Sequence, residues 1–262
     1  MSLLRSRDNP RVRRWHALAH DGRSRRAERS ALIEGAHLLA AYLDSGARPK
    51  AVLVSASGQA NAEIAALATR AGPAPVTLPD ALFRWVADAV APAGLAAEIE
   101  LPPAAPVAQA THAVFLDGVQ DAGNVGAILR SAAAFGVDTA VLGRGCADPW
   151  SPKVLRAAMG GHFALGIAVV DDLASALAQF PGTRVCALAA GGDAPATLDL
   201  TASIGWILGA EGQGVSPAAA TQASYRVSIP LAPDVESLNV AAAAAILLYE
   251  RARQLSTSGA RA

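Results

Sequence analysis

Three polar clusters carry the chemistry open to this sequence. Gly209-Ala-Glu211-Gly212-Gln-Gly214 follows the short apolar run Trp206–Leu208. Glu236-Ser237-Leu238-Asn239 follows a second run, Val227-Ser-Ile229, which ends in Pro230. The stretch from Asp117 to Arg130 holds Asn124 and Arg130 around two glycines, Gly123 and Gly126. Glycines let a backbone adopt positive φ and approach a ligand closely. Each cluster stands where an apolar run stops, so each reads as a strand end or a helix start. A parallel sheet gathers such ends at one edge, and open α/β sheets bind ligands there. The expected site is a pocket built mostly of main chain, with few ionisable side chains. A plainer reading exists for every part. The glycine loop also suits a tight turn, Ser237 and Asn239 also suit a helix cap, and Arg130, if buried near a sheet edge, needs an anion that a loop salt bridge could supply.

The elements that must position these residues follow from the rest of the chain. It has 262 residues and is 52% hydrophobic, enough for one large or two ordinary cores. No apolar run reaches the ~18 residues of a membrane span, and the N-terminus lacks the apolar core of a secretory signal. Cys146 and Cys186 give neither a disulfide framework nor metal-ligand spacing. A cytoplasmic protein without membrane or metal partners is expected. Net charge is zero, yet residues 1–29 hold nine arginines against three acidic residues. That excess of six positive charges is balanced by the remainder, and it reads either as a solvated helix face or as an arm for nucleic acid.

Periodicity predicts helices over 9–20 and 26–45, the second burying Leu32, Ile33, Ala36, Leu39, Ala40 and Leu43. A strand over 51–55, a helix over 61–71, a strand over 76–78, a helix over 80–87 and a strand over 94–101 complete a small α/β unit. Leu101–Ala110, with three prolines, reads as an extended linker. The domains are therefore expected as 1–105 and 106–262. In the second, strands (112–117, 139–142, 163–170, 184–189) alternate with helices (125–135, 151–159, 173–180), and a helix over 240–254 closes the chain before a frayed tail after Ser256. Such alternation implies a parallel sheet covered on both faces. The Asp117–Arg130 loop is not G-x-G-x-x-G and lacks a suitably placed acidic residue, which argues against a nicotinamide site.

The series N-x-G-x-x-x-R (Asn124–Arg130), L-G-x-E-x-x-G (Leu208–Gly214) and I-P followed by S-L-N (Ile229-Pro230, Ser237–Asn239) resembles the three motifs of the SpoU/TrmH family of RNA ribose 2′-O-methyltransferases. The resemblance spans the second domain, and Ser151–Gly160 matches a further family segment. The first domain is similar to a small substrate-binding domain that resembles certain ribosomal proteins. What the resemblance implies is a deep trefoil knot in the α/β methyltransferase domain, against the general rarity of knots. It also implies S-adenosyl-L-methionine as cofactor and action as a homodimer.

By motif position it assigns Asn124, Arg130, Glu211, Ser237 and Asn239 to catalysis. It assigns Leu188, Gly209, Glu211, Gly212, Ile229, Pro230, Ser237 and Leu238 to the cofactor. Ala122-Gly123 stand where the family often has proline, which should loosen that loop. RNA contacts are expected from Arg11, Arg13, Arg14, Arg23, Arg25 and Arg26, with Arg144, Lys153 and Arg156, and ribosomal RNA is placed ahead of transfer RNA as substrate. A guanidinium is effectively always protonated, so Arg130 is expected to grip a phosphate bidentately while phosphate or water takes the hydroxyl proton. The alternative is a non-catalytic RNA-binding or assembly protein that keeps the fold.

Overall fold

The structure is a computed structural model describing residues 2–259. Two compact units divide the chain. One holds the residues through Pro102 together with Asp148–Phe163; the other holds Pro103–Ala147 and the chain from Ala164 onward.

The first unit contains β1 (Ser2–Leu3), α1 (Pro10–His20), α2 (Gly22–Glu28), β2 (Ser30–Glu34), α3 (Ala36–Asp44), β3 (Ala51–Ser55), α4 (Ala62–Ala71), β4 (Val76–Leu78), α5 (Asp80–Val86) and β5 (Leu95–Glu100). Its sheet runs β1-β4-β3-β5-β2, with β5 antiparallel to both neighbours. Asn9 caps α1 by accepting from the Arg11 amide, and Pro10 opens the helix. Val12, Trp15, Leu18 and Ala19 then recur at helical spacing and are buried among Leu32, Leu53, Leu78, Phe83 and Val86.

The helix expected over 26–45 does not form as one element. Arg29 turns left-handed (φ 45°), Ser30–Glu34 becomes a strand paired with β5, and Gly35 (φ 95°) precedes α3. All five residues of β2 are buried. A short run buried on both faces shows no alternation, so periodicity alone cannot separate it from a helix. The helix α7 (Pro152–Ala158), capped by Ser151, packs against β2. It therefore belongs to the first unit, although the chain reaches it from the middle of the second.

The second unit contains β6 (His112–Asp117), α6 (Ala122–Ala134), β7 (Thr139–Leu142), β8 (Gly166–Val169), α8 (Leu173–Gln179), β9 (Thr183–Leu188), β10 (Ile204–Gly209), α9 (Pro217–Ala220), β11 (Tyr225–Ser228) and α10 (Val240–Thr257). Its six strands are all parallel, in the order β11-β9-β10-β6-β7-β8. Phe115 is fully buried and meets Phe180 edge-on at 5.6 Å; burying such a side chain is worth about 1.5–3 kcal/mol. The expected linker is only partly a spacer. Val107–Gln109 makes a 3-10 turn, and Val107 and Ala110 are buried beside Phe115 and Ala113.

The register brings the polar clusters together: Gly209 lies opposite Asp117, and Ser228 opposite Leu188. α10 packs on α6 and continues past the expected end at Gln254 to Thr257. Of the expected frayed tail, residues 260–262 lie outside the described residues. Among the described residues no helix is long and apolar enough to cross a membrane.

Each unit buries a histidine in its neutral form. Burial, aided by the adjacent Arg251 guanidinium, pushes His112 down to about 4. Burial alone pushes His162 down to about 4. In the unfolded chain both titrate near 6.5. Between about 4 and about 6.5 the unfolded chain therefore binds more protons, so stability falls as pH drops through that window. Thermal unfolding should show a lower midpoint at pH 5 than at pH 7, with a smaller difference in His112→Gln. Equal midpoints in the parent protein would contradict the assignment of neutral, buried imidazoles.

Candidate active site

Asn239 shows how the local sequence builds the site. It is the N-cap of α10, and its Oδ1 accepts from the Ala241 amide at 2.9 Å and the Ala242 amide at 3.3 Å. Its Nδ2 is left to donate to Asn124 Oδ1 at 2.9 Å. Asn124 in turn donates through Nδ2 to Glu211 Oε1. One side chain thus caps the helix and anchors a polar chain, so capping and site-building are the same fact here.

Asn124 is held by its own cap. Asp121 Oδ1 accepts from the Asn124 amide at 2.9 Å and starts α6 at Ala122. The Ala122-Gly123 pair consequently lies inside a capped first turn.

The loop after β10 is closed on itself. Ala210 and Gly214 exchange backbone hydrogen bonds of 3.1 and 2.9 Å. A Cβ at Gly209 would fall 2.1 Å from the Gly214 carbonyl carbon, so no side chain fits there. This loop, the ends of β9 and β11 and the start of α10 enclose a cleft of about 410 Å³. Leu188, Gly209, Glu211, Gly212, Ile229, Ser237, Leu238 and Asn239 line it. Pro230, expected with them, is exposed and does not. Leu231 and Ala243 line it without having been foreseen. Ala243 sits one turn beyond Asn239, a position that helical spacing could have pointed to.

Arg130 stands apart. It is exposed on α6, and among the described residues it has neither a hydrogen bond nor an ion pair. It is not buried, so the loop salt bridge that would have satisfied a buried guanidinium is not formed among the described residues. Six residues turn a helix through about 240° beyond full turns, which points Arg130 and Asn124 in different directions.

The basic residues divide by their partners. Arg25 is buried, its Nε and Nη2 on Asp148 at 2.9 and 2.7 Å and its Nη1 on the Leu18 and Ala19 carbonyls at 2.7 and 3.2 Å. It is a structural cation, and its expected RNA contact is corrected. Arg156 is likewise engaged, 2.6 Å from Asp88 and 3.9 Å from Glu34. Arg14 pairs with Glu28 at 2.9 Å and Glu98 at 2.7 Å, and Arg13 with Asp8 at 2.6 Å. Arg11 stacks over Trp15 at 5.0 Å. Arg23, Arg26, Arg144 and Lys153 are exposed. Among the described residues no group of three or more His, Cys, Asp or Glu side chains is placed to hold a metal ion.

The double duty of Asn239 is separable. Asn239→Ser keeps a capping oxygen and loses the amide donor, whereas Asn239→Ala loses both. Asn239→Ala should cost about 1 kcal/mol of stability that Asn239→Ser largely retains, measured by denaturant unfolding, and both should lose activity. Full activity in Asn239→Ser would reduce the residue to a cap.

Comparison with known proteins places these features in context. Residues 111–249 match the SpoU rRNA Methylase family, and residues 9–97 match the MRM3-like substrate binding domain. The 23S rRNA (guanosine(2553)-2′-O)-methyltransferase RlmP of Bacillus subtilis is 33% identical over 256 residues, covering 95% of this chain and 98% of the relative. Among solved structures, the AdoMet-bound rRNA methyltransferase from Sinorhizobium meliloti superposes with a TM-score of 0.81 at 28% identity, over 97% of this chain and 98% of that one. The SpoU methyltransferase AviRb from Streptomyces viridochromogenes, in complex with AdoMet, gives 0.81 at 26% identity, over 95% and 100%.

Proposed function

The chain belongs to the SpoU rRNA methylase family, and from that premise we propose that it transfers a methyl group from S-adenosylmethionine to a ribose 2′-hydroxyl of ribosomal RNA. The observation that carries the reading is the Asn239–Asn124–Glu211 chain, two of whose members, Asn239 and Glu211, also wall the 410 Å³ cleft.

The cleft fits the donor. Its volume lies within the range of small-molecule sites. Leu188, Ile229 and Leu238 offer apolar walls for an adenine, and Gly209, Gly212 and Gly214 leave main chain free to meet polar edges. When bound, S-adenosylmethionine supplies an electrophilic methyl on a sulfonium. The protein's own part is to align the ribose with it, and alignment alone can supply much of the acceleration. Asn124, Glu211, Ser237 and Asn239 orient the ribose. Arg130, exposed and without an anionic partner among the described residues, grips the neighbouring RNA phosphate, and phosphate or water accepts the hydroxyl proton. The exposed Arg11, Arg13, Arg23 and Arg26 hold RNA phosphates, which position a strand without reading its sequence. The knot is part of the same reading, supported by the loop after β9: Gly192 and Asp193 lie against Val227–Ser228, with the Asp193 backbone amide donating to the Arg226 carbonyl at 2.9 Å.

The protein acts as a homodimer in the cytoplasm. On α10, Ala242, Ile246 and Tyr249 are exposed at helical spacing, and Ala134 is exposed on α6, the helix against which α10 packs. Apolar side chains in such a strip suit burial against a second copy.

The reaction is tested with methyl-labelled S-adenosylmethionine and unmodified 23S ribosomal and transfer RNA, the products being digested to nucleosides. Label in a 2′-O-methyl nucleoside from the ribosomal pool is expected. Label on a base would overturn the ribose reading, and no label in any pool would favour a non-catalytic RNA-binding protein. The dimer is tested by Ile246→Glu: light scattering should report a monomer where the parent is a dimer, with activity falling at least tenfold. A parent protein that is monomeric at micromolar concentration would contradict this.

A further inference from the structure

A second cleft, of about 470 Å³, opens at the ends of β6, β7 and β10. It shares Ala210, Glu211 and Gly214 with the first, so the closed loop after β10 forms a wall of both. Where the first cleft has apolar walls, the second has polar side chains: Asp117, Gln120, Arg144 and Gln213. Among the described residues, Gln120, Arg144 and Gln213 make no side-chain hydrogen bond or ion pair. Asp117 holds the Ser216 amide through Oδ2 at 2.7 Å, and among the described residues its Oδ1 has no hydrogen-bond partner. Gly118 (φ 69°) and Gly145 (φ 87°) also line the cleft; a Cβ on Gly145 would lie only 3.7 Å from the Gly118 Cα, so the two βα loops meet there main chain to main chain.

We propose that this second cleft receives the acceptor nucleotide of the RNA, with Arg144 on a phosphate and Gln120, Gln213 and Asp117 Oδ1 on the edge of the base. The inference rests on the methyl-transfer reading and adds where its substrate sits. One guanidinium, two amides and a half-used carboxylate offer both donors and acceptors. That mixture suits an unpaired nucleotide, whose base presents both along its Watson–Crick edge and whose phosphate accepts from arginine. A cleft for a simple anion would not need the carboxylate. Glu211, shared by both clefts and fixed by Asn124, then stands between donor and acceptor.

The test uses the full-length protein with two readouts. In the first, Arg144→Ala is compared with the parent for S-adenosylmethionine affinity by calorimetry and for methylation of unmodified 23S ribosomal RNA. The KM for RNA should rise at least tenfold with cofactor affinity and kcat within twofold, and the salt slope of RNA binding should fall by about one. Gln213→Ala and Gln120→Ala should lower kcat/KM at least fivefold and narrow the difference between RNAs that vary at the modified base. Cofactor affinity falling in step with activity in Arg144→Ala would assign this cleft to the cofactor and overturn the proposal. Parent-like kinetics in all three variants would also overturn it.

The second readout does not depend on turnover. Hydrogen exchange with a 23S ribosomal RNA transcript should protect residues 118–120, 144–146 and 213–216. Protection there without any methyl transfer would keep the cleft as an RNA site and remove the reaction. Transfer without protection there would keep the reaction and remove the cleft.

Discussion

The amide of Asn124 is the joint on which this site depends. Its oxygen accepts from Asn239 and its nitrogen donates to Glu211, so a single planar group fixes three segments that lie far apart in sequence. The two bonds demand opposite ends of the same amide, which settles its orientation. They also demand that Glu211 present an acceptor. An amide does both at once from two separate atoms, a carbonyl oxygen that accepts and an NH2 that donates.

Everything that positions the joint is ordinary secondary structure carried to its ends. The parallel register sets Gly209 opposite Asp117 and so places the two loops side by side. Caps then do local work: Asp121 starts the helix that carries Asn124, and Asn239 starts the helix that closes the cleft. The glycine loop contributes what it lacks, since a side chain at Gly209 has nowhere to go. The result is a cleft whose walls are main chain and aliphatic carbon, with polar groups confined to the loop and cap that it shares with the joint.

Much of this was legible in the sequence because strand ends, caps and glycine turns are local signals. The alternation of elements in the second unit, and the gathering of three motifs at one edge, follow from them. What was not legible is long-range. Nothing near Ser30–Glu34 announces that β5 lies opposite, so a fully buried strand reads like part of a helix. Nothing in a run of arginines distinguishes Arg25, which is buried on Asp148, from Arg23 or Arg26, which are exposed. The helix α7 joins the first unit through contacts that no linear pattern records. Arg130 is the different case: its angle from Asn124 on a shared helix follows from the spacing of the two residues.

A double-mutant cycle on Asn124 and Asn239 tests the joint most directly. Asn124→Ala, Asn239→Ser and the double variant would be compared for kcat with saturating S-adenosylmethionine and ribosomal RNA. Because the two side chains act through one hydrogen bond, the double variant should be little worse than the more damaging single one, a strongly non-additive result. Losses that simply add would mean that the two residues act independently, and the account of a single joint holding the site would be wrong.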